Sequence, residues 1–432
     1  MTNKFLHLKA LQRIIDEQKD FQVVLERLEK SMNLSNEMLS SFRHCVLGTL
    51  RHFYALQYEV ETAMPDLIDN SDIQYLMILA LFDIRYRKKE IALYQVIDQV
   101  NETIDYMDID FDKEYIGERL DYLSKNNLLN KYKLEKVHDN SSFEDLCRYY
   151  EIIFNIPVWL LKELLNDLGD DKCMRILKSS LKSGHKYLCS NKLLSGKDKF
   201  NSDKRFTAID FDSSMYEYKN GPVVKLDEVI NGELFVLDLS LAYLASKIKV
   251  YEGNSILYVS EVYSSLPCKI AIDGSFKHVK VDCLFDLEKD YARLKNLNNR
   301  LDIKNIKSYI GNVDIMLTYS EYENYDTVII NPLSSSLGQI GRRPDILLTL
   351  SEKDVGFYGR QDLKRLIEAS KFVCKGGDLI YFVPTYTKKE TTDVINKFLA
   401  TKNDFVLDSS YLLLPDEYNS DGLFYALLKR RG

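Results

Sequence analysis

Apolar residues recur at helical spacing through about the first 125 positions of the chain. A serine cap at Ser35 is predicted for one of these helices, and Asp72 is expected to open a long apolar helix that continues through Phe82. The apolar stripes are formed by Leu8, Leu11, Ile14 and Ile15, by Phe21, Val24, Leu25 and Leu28, and by Met38, Phe42, Cys45, Val46 and Leu50. The pattern therefore predicts an all-helical amino-terminal domain over residues 1–130.

From Gly232 onward the pattern changes to short apolar runs that favour β-strands, with helical stretches over 286–299 and 360–372 between several of them. This alternation is typical of a doubly wound, Rossmann-like sheet. The predicted strands cover 255–258, 278–281, 306–310, 327–331, 378–383 and 423–429. The expected fold class is α + α/β, with residues 131–235 as a linker and 236–432 as the Rossmann-like domain.

Composition and charge limit the number of domains and the kind of RNA-binding surface that the chain can form. With 432 residues and 45% hydrophobic content, the chain can build two or three domains with full cores. Residues 1–130 hold 15 Lys/Arg against 22 Asp/Glu, which accounts for the whole net charge of −7. A uniformly basic nucleic-acid-binding surface is therefore excluded, and any RNA contact must come from a local patch. One such patch lies in residues 172–205, with ten Lys/Arg against two Asp.

The cysteines and the amino terminus indicate the compartment. The seven cysteines form no CxxC pair, so free thiols in a reducing cytoplasm are expected rather than disulfides or a metal site. The charged amino terminus has no apolar signal region, and no segment approaches the roughly 18 apolar residues that a membrane span needs. We expect a cytoplasmic protein without a metal and without a membrane span.

Two segments carry a specific resemblance. The sequence TVIINPLSSSLGQIGRRPD (327–345) resembles the cysteine-bearing strand and loop of RNA cytosine-C5 methyltransferases, whose pattern is roughly DAPCSxxGxxRRxPD. Further on, LIYFVPT (379–385) resembles the second cysteine motif of that family, LVYSTCS. The first cysteine position falls on Leu333 or Ser334, and the second falls on Pro384. No catalytic residue is therefore assigned.

Further segments extend this resemblance over nearly the whole chain. GELFVLDLSLAYLASKI, KGGD and DGLFYALLK match the methyltransferase core in the same order, and NIPVWLL resembles the segment before an RNA-contacting subdomain. The helical block around LGTLRHFYALQYEV resembles the antitermination factor NusB, although a generic helical interaction domain fits it too. The chain is thus similar to the NusB-fused bacterial small-subunit ribosomal RNA cytosine-C5 methyltransferases, and residues 131–235 are expected to include an RNA-contact subdomain.

The resemblance implies S-adenosylmethionine as cofactor. Its candidate contacts are Asp282 after the second strand, with Asp286 as an alternative, Asn312 in the third motif, and Asn331 in the fourth, where Ile330 is the alternative position. The first loop, ILYVSEVYSSLP (256–267), has no glycine, whereas the glycines of the family's VLDLCAAPGGKT let the backbone approach the cofactor closely. In this comparison Tyr258 takes the place of the family's aspartate, and Leu266 takes the place of its lysine. These residues therefore argue against binding of the cofactor that the family uses.

Ribosomal RNA is the partner that the resemblance implies. The candidate RNA-binding residues are Arg175, Lys178, Lys182, Lys186, Lys192, Arg342 and Arg343. Their alternative interpretation is a solvated helix face with basic residues at helical spacing. The leading hypothesis is a family member that binds RNA but has lost methyl transfer, because that reaction depends on a thiolate. The alternatives are an active enzyme with an unusual site and a module that binds a protein partner through its acidic helical half.

Overall fold

The computed structural model describes residues 3–31, 35–67, 70–135, 142–196, 199–311 and 324–432. Backbone contacts group the chain into two compact units. The first unit comprises Met1–Lys182 and Ile340–Glu352, and the second comprises Ser183–Gln339 and Lys353–Gly432. The predicted domain boundaries near residues 130 and 235 stay predictions.

Helices make up the first unit. A central helix, α5, is buried on most of its faces, and it approaches α3 so closely that a β-carbon on Gly48 would lie 2.2 Å from the ring of Phe82. The described helices of the first 182 residues are α1 (Asn3–Ile15), α2 (Phe21–Ser31), α3 (Asn36–Arg51), α4 (Phe53–Ala63), α5 (Ser71–Tyr86), α6 (Leu93–Tyr106), α7 (Lys113–Lys125), α8 (Leu128–Glu135), α9 (Phe143–Phe154), α10 (Val158–Leu168) and α11 (Asp170–Ser180).

Two predicted helix starts can be compared with the structure. The Ser35 cap is confirmed, since Ser35 Oγ accepts a hydrogen bond of 3.2 Å from Met38 N. The start at Asp72 is wrong by one residue: α5 begins at Ser71, and Asn70 Oδ1 caps it by accepting from Ile73 N at 3.2 Å. An asparagine is as good a cap as a serine, so the true cap lay two residues upstream.

Residues 340–352 join the helical unit although they come late in the sequence. Arg343 forms ion pairs with Asp20 at 2.6 Å and Asp345 at 2.8 Å. The buried Asp345 carboxylate also accepts a hydrogen bond of 3.2 Å from Phe21 N, and Leu348 packs against the helical core.

The second unit begins with a small antiparallel sheet in the order β2-β3-β1-β4. Its strands are β1 (Tyr187–Ser190), β2 (Phe206–Ile209), β3 (Asp212–Tyr218) and β4 (Leu234–Val236). The sequence pattern did not predict this sheet, because its strands are short and polar residues stand within and between them.

A seven-stranded sheet follows, in the order β10-β11-β9-β8-β5-β6-β7. The strands β5 to β9 pair in parallel, whereas β11 is antiparallel to both of its neighbours. The strands are β5 (Ser255–Ser260), β6 (Lys280–Phe285), β7 (Ile306–Ile310), β8 (Tyr325–Asn331), β9 (Val373–Val383), β10 (Phe405–Leu413) and β11 (Leu423–Arg430). The Rossmann-like prediction is confirmed, and all six predicted strands are present; β10 was not predicted.

The helices after residue 182 lie between strands in the sequence, and one of them, α16, belongs to the first unit. They are α12 (Asp227–Ile230), α13 (Leu239–Lys247), α14 (Leu266–Gly274), α15 (Glu288–Arg300), α16 (Ile346–Thr349), α17 (Glu352–Ala369), α18 (Thr392–Thr401) and α19 (Pro415–Tyr418). The strand order reverses between β5 and β8, so the carboxyl ends of these two strands form the switch point at which open α/β sheets bind ligands. No helix in the described part of the chain is long and apolar enough to cross a membrane.

Candidate functional site

The residues that follow β5, β6, β8 and β9 form the candidate site. At the switch point, Ser260 at the end of β5 lies in register with Asn331 at the end of β8. Asn331 is buried, and its Nδ2 donates to Tyr258 Oη at 3.3 Å and to Ser260 Oγ at 3.2 Å. Asn331 Oδ1 is also buried but has no hydrogen-bond partner among the described residues. The amide nitrogen of Asn331 therefore bonds residues of the neighbouring strand β5, whereas its amide oxygen is an acceptor that no described residue uses.

Tyr258 stands where the family pattern has an aspartate. Its ring is fully buried, and burial raises the pKa of its hydroxyl to about 12, so the side chain is neutral. A buried phenol brings no charge to this end of the sheet, in contrast to the carboxylate that it replaces.

Serine side chains of the loop between β5 and α14 form hydrogen bonds that hold its backbone. Ser264 Oγ accepts from Leu266 N at 3.1 Å, and Ser265 Oγ donates to Val236 O at 2.7 Å. No residue between 256 and 267, all of which the structure describes, has a positive φ angle. The loop thus lacks both the glycines and the left-handed backbone that would admit a cofactor at close range.

The two candidate acids of β6 lie in different places. Asp282 is inside the strand, and its carboxylate accepts a hydrogen bond of 2.7 Å from Tyr325 Oη. Asp286 comes directly after the strand, so it is Asp286 that lies at the carboxyl edge. Asn312, the third candidate, lies outside the described residues.

A cation from α17 occupies this acidic edge. Arg365 donates from Nε and Nη2 to Glu261 Oε1 at 3.1 and 2.9 Å, and its Nη2 also forms an ion pair with Asp286. Glu368 lies 3.5 Å from Arg365 Nη1. Burial raises the pKa of Asp286, with Arg365 opposing the shift and Glu261 adding to it. The sequence reasoning missed Arg365, because its partners lie 79 and 104 residues away in the chain.

Hydroxyl groups join the two loops that carry the family's cysteine positions. Leu333 is exposed, Ser334 is buried and Pro384 is half-buried. Ser335 in the first loop and Thr385 in the second place their hydroxyl oxygens 2.7 Å apart. Ser334 Oγ accepts a hydrogen bond of 3.4 Å from Ser336 N within the same loop.

A fully buried carboxylate, Glu390, holds these two loops together. Its Oε1 accepts from Ser335 N at 2.7 Å. Its Oε2 accepts from Ser335 Oγ at 2.7 Å and from the hydroxyls of Thr385 and Thr387 at 3.0 Å. The sequence reasoning missed Glu390 too, although threonines and a glutamate directly after an apolar strand were a usable signal.

None of the seven cysteines follows β8 or β9. Cys283 lies two residues before the end of β6, Cys374 is the second residue of β9, and Cys268 is inside α14. Burial raises the pKa of Cys268 to about 12, and it also raises the pKa of Cys283 well above its usual value. A thiol with a raised pKa is a poor nucleophile at neutral pH, so these cysteines do not replace the missing ones.

A second buried acid lies next to Glu390. Asp362 Oδ2 accepts a hydrogen bond of 2.9 Å from Tyr381 Oη, whereas its Oδ1 is buried without a partner among the described residues. Burial and the nearby charge of Glu390 raise the pKa of Asp362 to about 9, against the lowering effect of the hydrogen bond from Tyr381. The folded protein therefore holds a proton on Asp362 at neutral pH.

Asp362 is expected to make stability fall as pH rises. Its pKa is higher in the folded state than in the unfolded state, so folding takes up a proton between about pH 4 and about pH 9. The free energy of unfolding should fall by up to about 1.4 kcal/mol per pH unit across this window. Urea unfolding at several pH values between 6 and 8 will measure the slope. Asp362→Asn should flatten it, whereas the exposed Asp302→Asn should not; equal slopes in all three proteins would contradict the assignment.

The predicted RNA-binding residues fall in both units. On α11, Lys178 is exposed and Arg175 is half-buried, and the exposed Lys182 follows the helix. These three lie opposite the buried face of the helix, which Cys173, Ile176, Leu177 and Ser180 form. The first unit thus presents a basic helix face.

The other candidates engage protein groups. In the second unit, Lys186 Nζ donates to Gly221 O at 2.8 Å, and Lys192 lies 3.5 Å from the carboxylate of Asp273. Arg343 is held by its ion pairs with Asp20 and Asp345, and Arg342 is half-buried. Lys197 of the basic patch lies outside the described residues.

Comparison with known proteins shows what this chain is similar to. Residues 279–429 match the family model described as 16S rRNA methyltransferase RsmB/F. The probable ribosomal RNA small subunit methyltransferase B of Bacillus subtilis is 22% identical, over 98% of each chain. Ribosomal RNA small subunit methyltransferase B of Proteus mirabilis is 21% identical, over 98% of this chain and 97% of that protein.

Solved structures show the same fold. The crystal structure of PH0851 covers 100% of this chain and 99% of its own, with a TM-score of 0.74 and 16% identity. That of NSun6 from Pyrococcus horikoshii with SFG covers 65% of this chain and 100% of its own, with a TM-score of 0.58 and 12% identity. Together with the family model and the full-length relatives, these likenesses confirm the resemblance drawn from the cysteine-motif segments. Residues 279–429 therefore match the RsmB/F model of 16S rRNA methyltransferases, and over its full length the chain is similar to ribosomal RNA small subunit methyltransferases B.

Proposed function

We propose that this protein binds ribosomal RNA as a member of the RsmB/F family but does not carry out cysteine-dependent methyl transfer. The observation that carries the proposal is the pair of loops after β8 and β9. The family's cysteine positions fall there on Leu333 or Ser334 and on Pro384, and the adjacent hydroxyls are bound to the buried Glu390.

The chemistry supports this loss. Carbon 5 of cytosine becomes nucleophilic only after a thiolate adds to carbon 6, and in the family a second cysteine helps to release the product. Neither leucine nor proline can form that bond. A serine hydroxyl is a weak nucleophile without an adjacent base, and the hydrogen bond that Ser334 Oγ accepts comes from the backbone of its own loop.

The full-length likeness to ribosomal RNA methyltransferases and the basic face of α11 support the RNA-binding role. The relatives align over nearly the full length of the chain, and the basic face of α11 presents Lys178 and Lys182 to solvent. Lysines on an exposed helix face can neutralise phosphates without reading sequence. We therefore assign RNA contact first to this face, and only secondarily to Lys186, Lys192, Arg342 and Arg343, which engage protein groups or are half-buried.

Filter binding of the full-length protein to 16S ribosomal RNA fragments tests the proposal. We expect salt-sensitive binding, and the double variant Lys178→Glu/Lys182→Glu should bind about tenfold more weakly with a shallower salt dependence. The double variant Lys113→Glu/Lys125→Glu is the matched control, because it changes two exposed lysines of α7 by the same total charge. Absence of binding, or equal losses in the two double variants, would contradict the assignment.

Methyl transfer is measured in the same preparations. With radiolabelled S-adenosylmethionine and 16S ribosomal RNA, we expect no label in the RNA. Transfer of label would instead establish an active enzyme with an unusual site. Retention of a protein partner after nuclease treatment, without RNA affinity, would favour a protein-interaction role for the acidic helical half.

A further inference from the structure

We propose that Arg365 blocks nucleoside binding at the carboxyl end of β6. Its guanidinium takes the hydrogen-bonding positions on Asp286 that the ribose of an adenosyl ligand requires. A nucleoside ligand such as S-adenosylmethionine is thus excluded until Arg365 is withdrawn. This inference rests on the proposed loss of methyl transfer and extends it from the missing thiols to the binding of the cofactor.

The position of the contact is the first argument. In doubly wound sheets that bind nucleosides, an acid after the second strand accepts hydrogen bonds from the ribose hydroxyls. Here that acid is Asp286, at the end of β6, and it forms an ion pair with Arg365. The same guanidinium binds Glu261, which follows β5 at the switch point. One side chain therefore spans the ends of the two strands along which the ligand would lie.

The chemistry of the pair is the second argument. A guanidinium offers up to five N–H donors in a fixed plane, and a charged donor binds a carboxylate more strongly than a neutral hydroxyl does. The side chains of Arg365, Glu261 and Asp286 are only 27%, 21% and 28% exposed, so solvent screens the contact only partly. A ribose would have to displace a partly buried ion pair and would supply only neutral donors in return.

The surroundings fix the guanidinium in place. Glu368, one turn further along α17, lies 3.5 Å from Arg365 Nη1. Leu333 N donates to Glu261 Oε2 at 3.0 Å, which ties the loop after β8 to the same acid. Because the β5–α14 loop also lacks glycine and Tyr258 replaces the family's aspartate, the residues present do not fit the cofactor in this arrangement.

Calorimetric titration of the full-length protein with S-adenosylhomocysteine tests the inference. We expect binding weaker than about 1 mM in the unaltered protein and at least about tenfold tighter binding in Arg365→Gln, which removes the charge. Arg365→Lys retains a cation and should bind S-adenosylhomocysteine as weakly as the unaltered protein does. Arg360→Gln changes an exposed arginine of the same helix and should leave the affinity unchanged.

A second variant keeps the test decisive if Arg365→Gln does not fold. Glu261→Gln weakens the hold on the guanidinium but leaves the Asp286 carboxylate intact, so it should also raise affinity for S-adenosylhomocysteine. Tight binding by the unaltered protein, or no gain in any folded variant of Arg365 or Glu261, would overturn the inference. RNA affinity measured on the same samples is independent: its absence would refute the proposed RNA-binding role whatever the titration shows.

Discussion

Replacing Glu390 with alanine should lower the free energy of unfolding by about 3–5 kcal/mol, the range seen when one partner of a buried charged network is removed. The side chain is fully buried and accepts four hydrogen bonds, from the backbone and hydroxyl of Ser335 and from the hydroxyls of Thr385 and Thr387. Its loss would leave Ser335 N and the Thr387 hydroxyl without this acceptor in the interior, even if the Ser335 and Thr385 hydroxyls bond each other.

Urea unfolding followed by circular dichroism will measure the Glu390 effect. Glu390→Gln keeps the shape of the side chain but lacks the second acceptor oxygen, so we expect a smaller loss than in the alanine variant. Glu252→Ala serves as a control in the same unit, since its carboxylate is 71% exposed and its loss should cost less than about 1 kcal/mol. If Glu390→Ala cost no more than that control, Glu390 would not join the two loops as described.

The buried ion pair between α1 and α5 should produce an effect of similar size. Lys4 and Asp83 are 2% and 1% exposed, and Asp83 also accepts from Arg87 Nη1 at 3.1 Å. Asp83→Ala would leave the Lys4 ammonium without its partner in an apolar core, and we expect a loss of about 3–5 kcal/mol in urea unfolding. The neighbouring His7 cannot compensate, because burial lowers its pKa to about 3 and it carries no charge.

Two further variants separate the pair from its surroundings. The double variant Lys4→Met/Asp83→Leu removes both charges, so it should recover much of the stability that Asp83→Ala loses. The exposed pair of Lys125 and Asp121 is the control: Asp121→Ala should change stability by less than about 1 kcal/mol. If the double variant lost as much as Asp83→Ala, packing rather than charge would explain the loss.

Much of the fold followed from the sequence because it depends on local pattern. The apolar runs predicted 306–310 with the bounds that the structure gives, and placed the other five strands within a few residues. Apart from the partly exposed edge strand β7, those runs are largely buried in the sheet, and burial on both faces is what makes a parallel strand apolar throughout. In the small sheet only β2 and β3 form a local hairpin, whereas β1 pairs with β3 and β4 from further along the chain.

The candidate site was predictable only where its residues follow a strand. Asn331 and the cysteine positions could be placed in this way, since their neighbours in sequence are also their neighbours in space. Arg365 could not, because its partners follow other strands. Glu390 was missed although two of its partners, Thr385 and Thr387, are close in sequence. Arg343 shows a different case: a local motif made it a candidate for RNA binding, and the structure also pairs it with Asp20, which is 323 residues away in the chain.

The late segment 340–352 has a consequence for the history of this gene. A fragment that ends at Lys182 would encode the helical bundle without Gly341, whose carbonyl accepts a hydrogen bond of 2.7 Å from Arg51, and without Leu348. A recombination event that exchanged only the first 182 codons would combine a bundle and a late segment with separate ancestries. Such chimaeras would pack poorly within the helical unit. The segments that encode residues 1–182 and 340–352 are therefore expected to be inherited together.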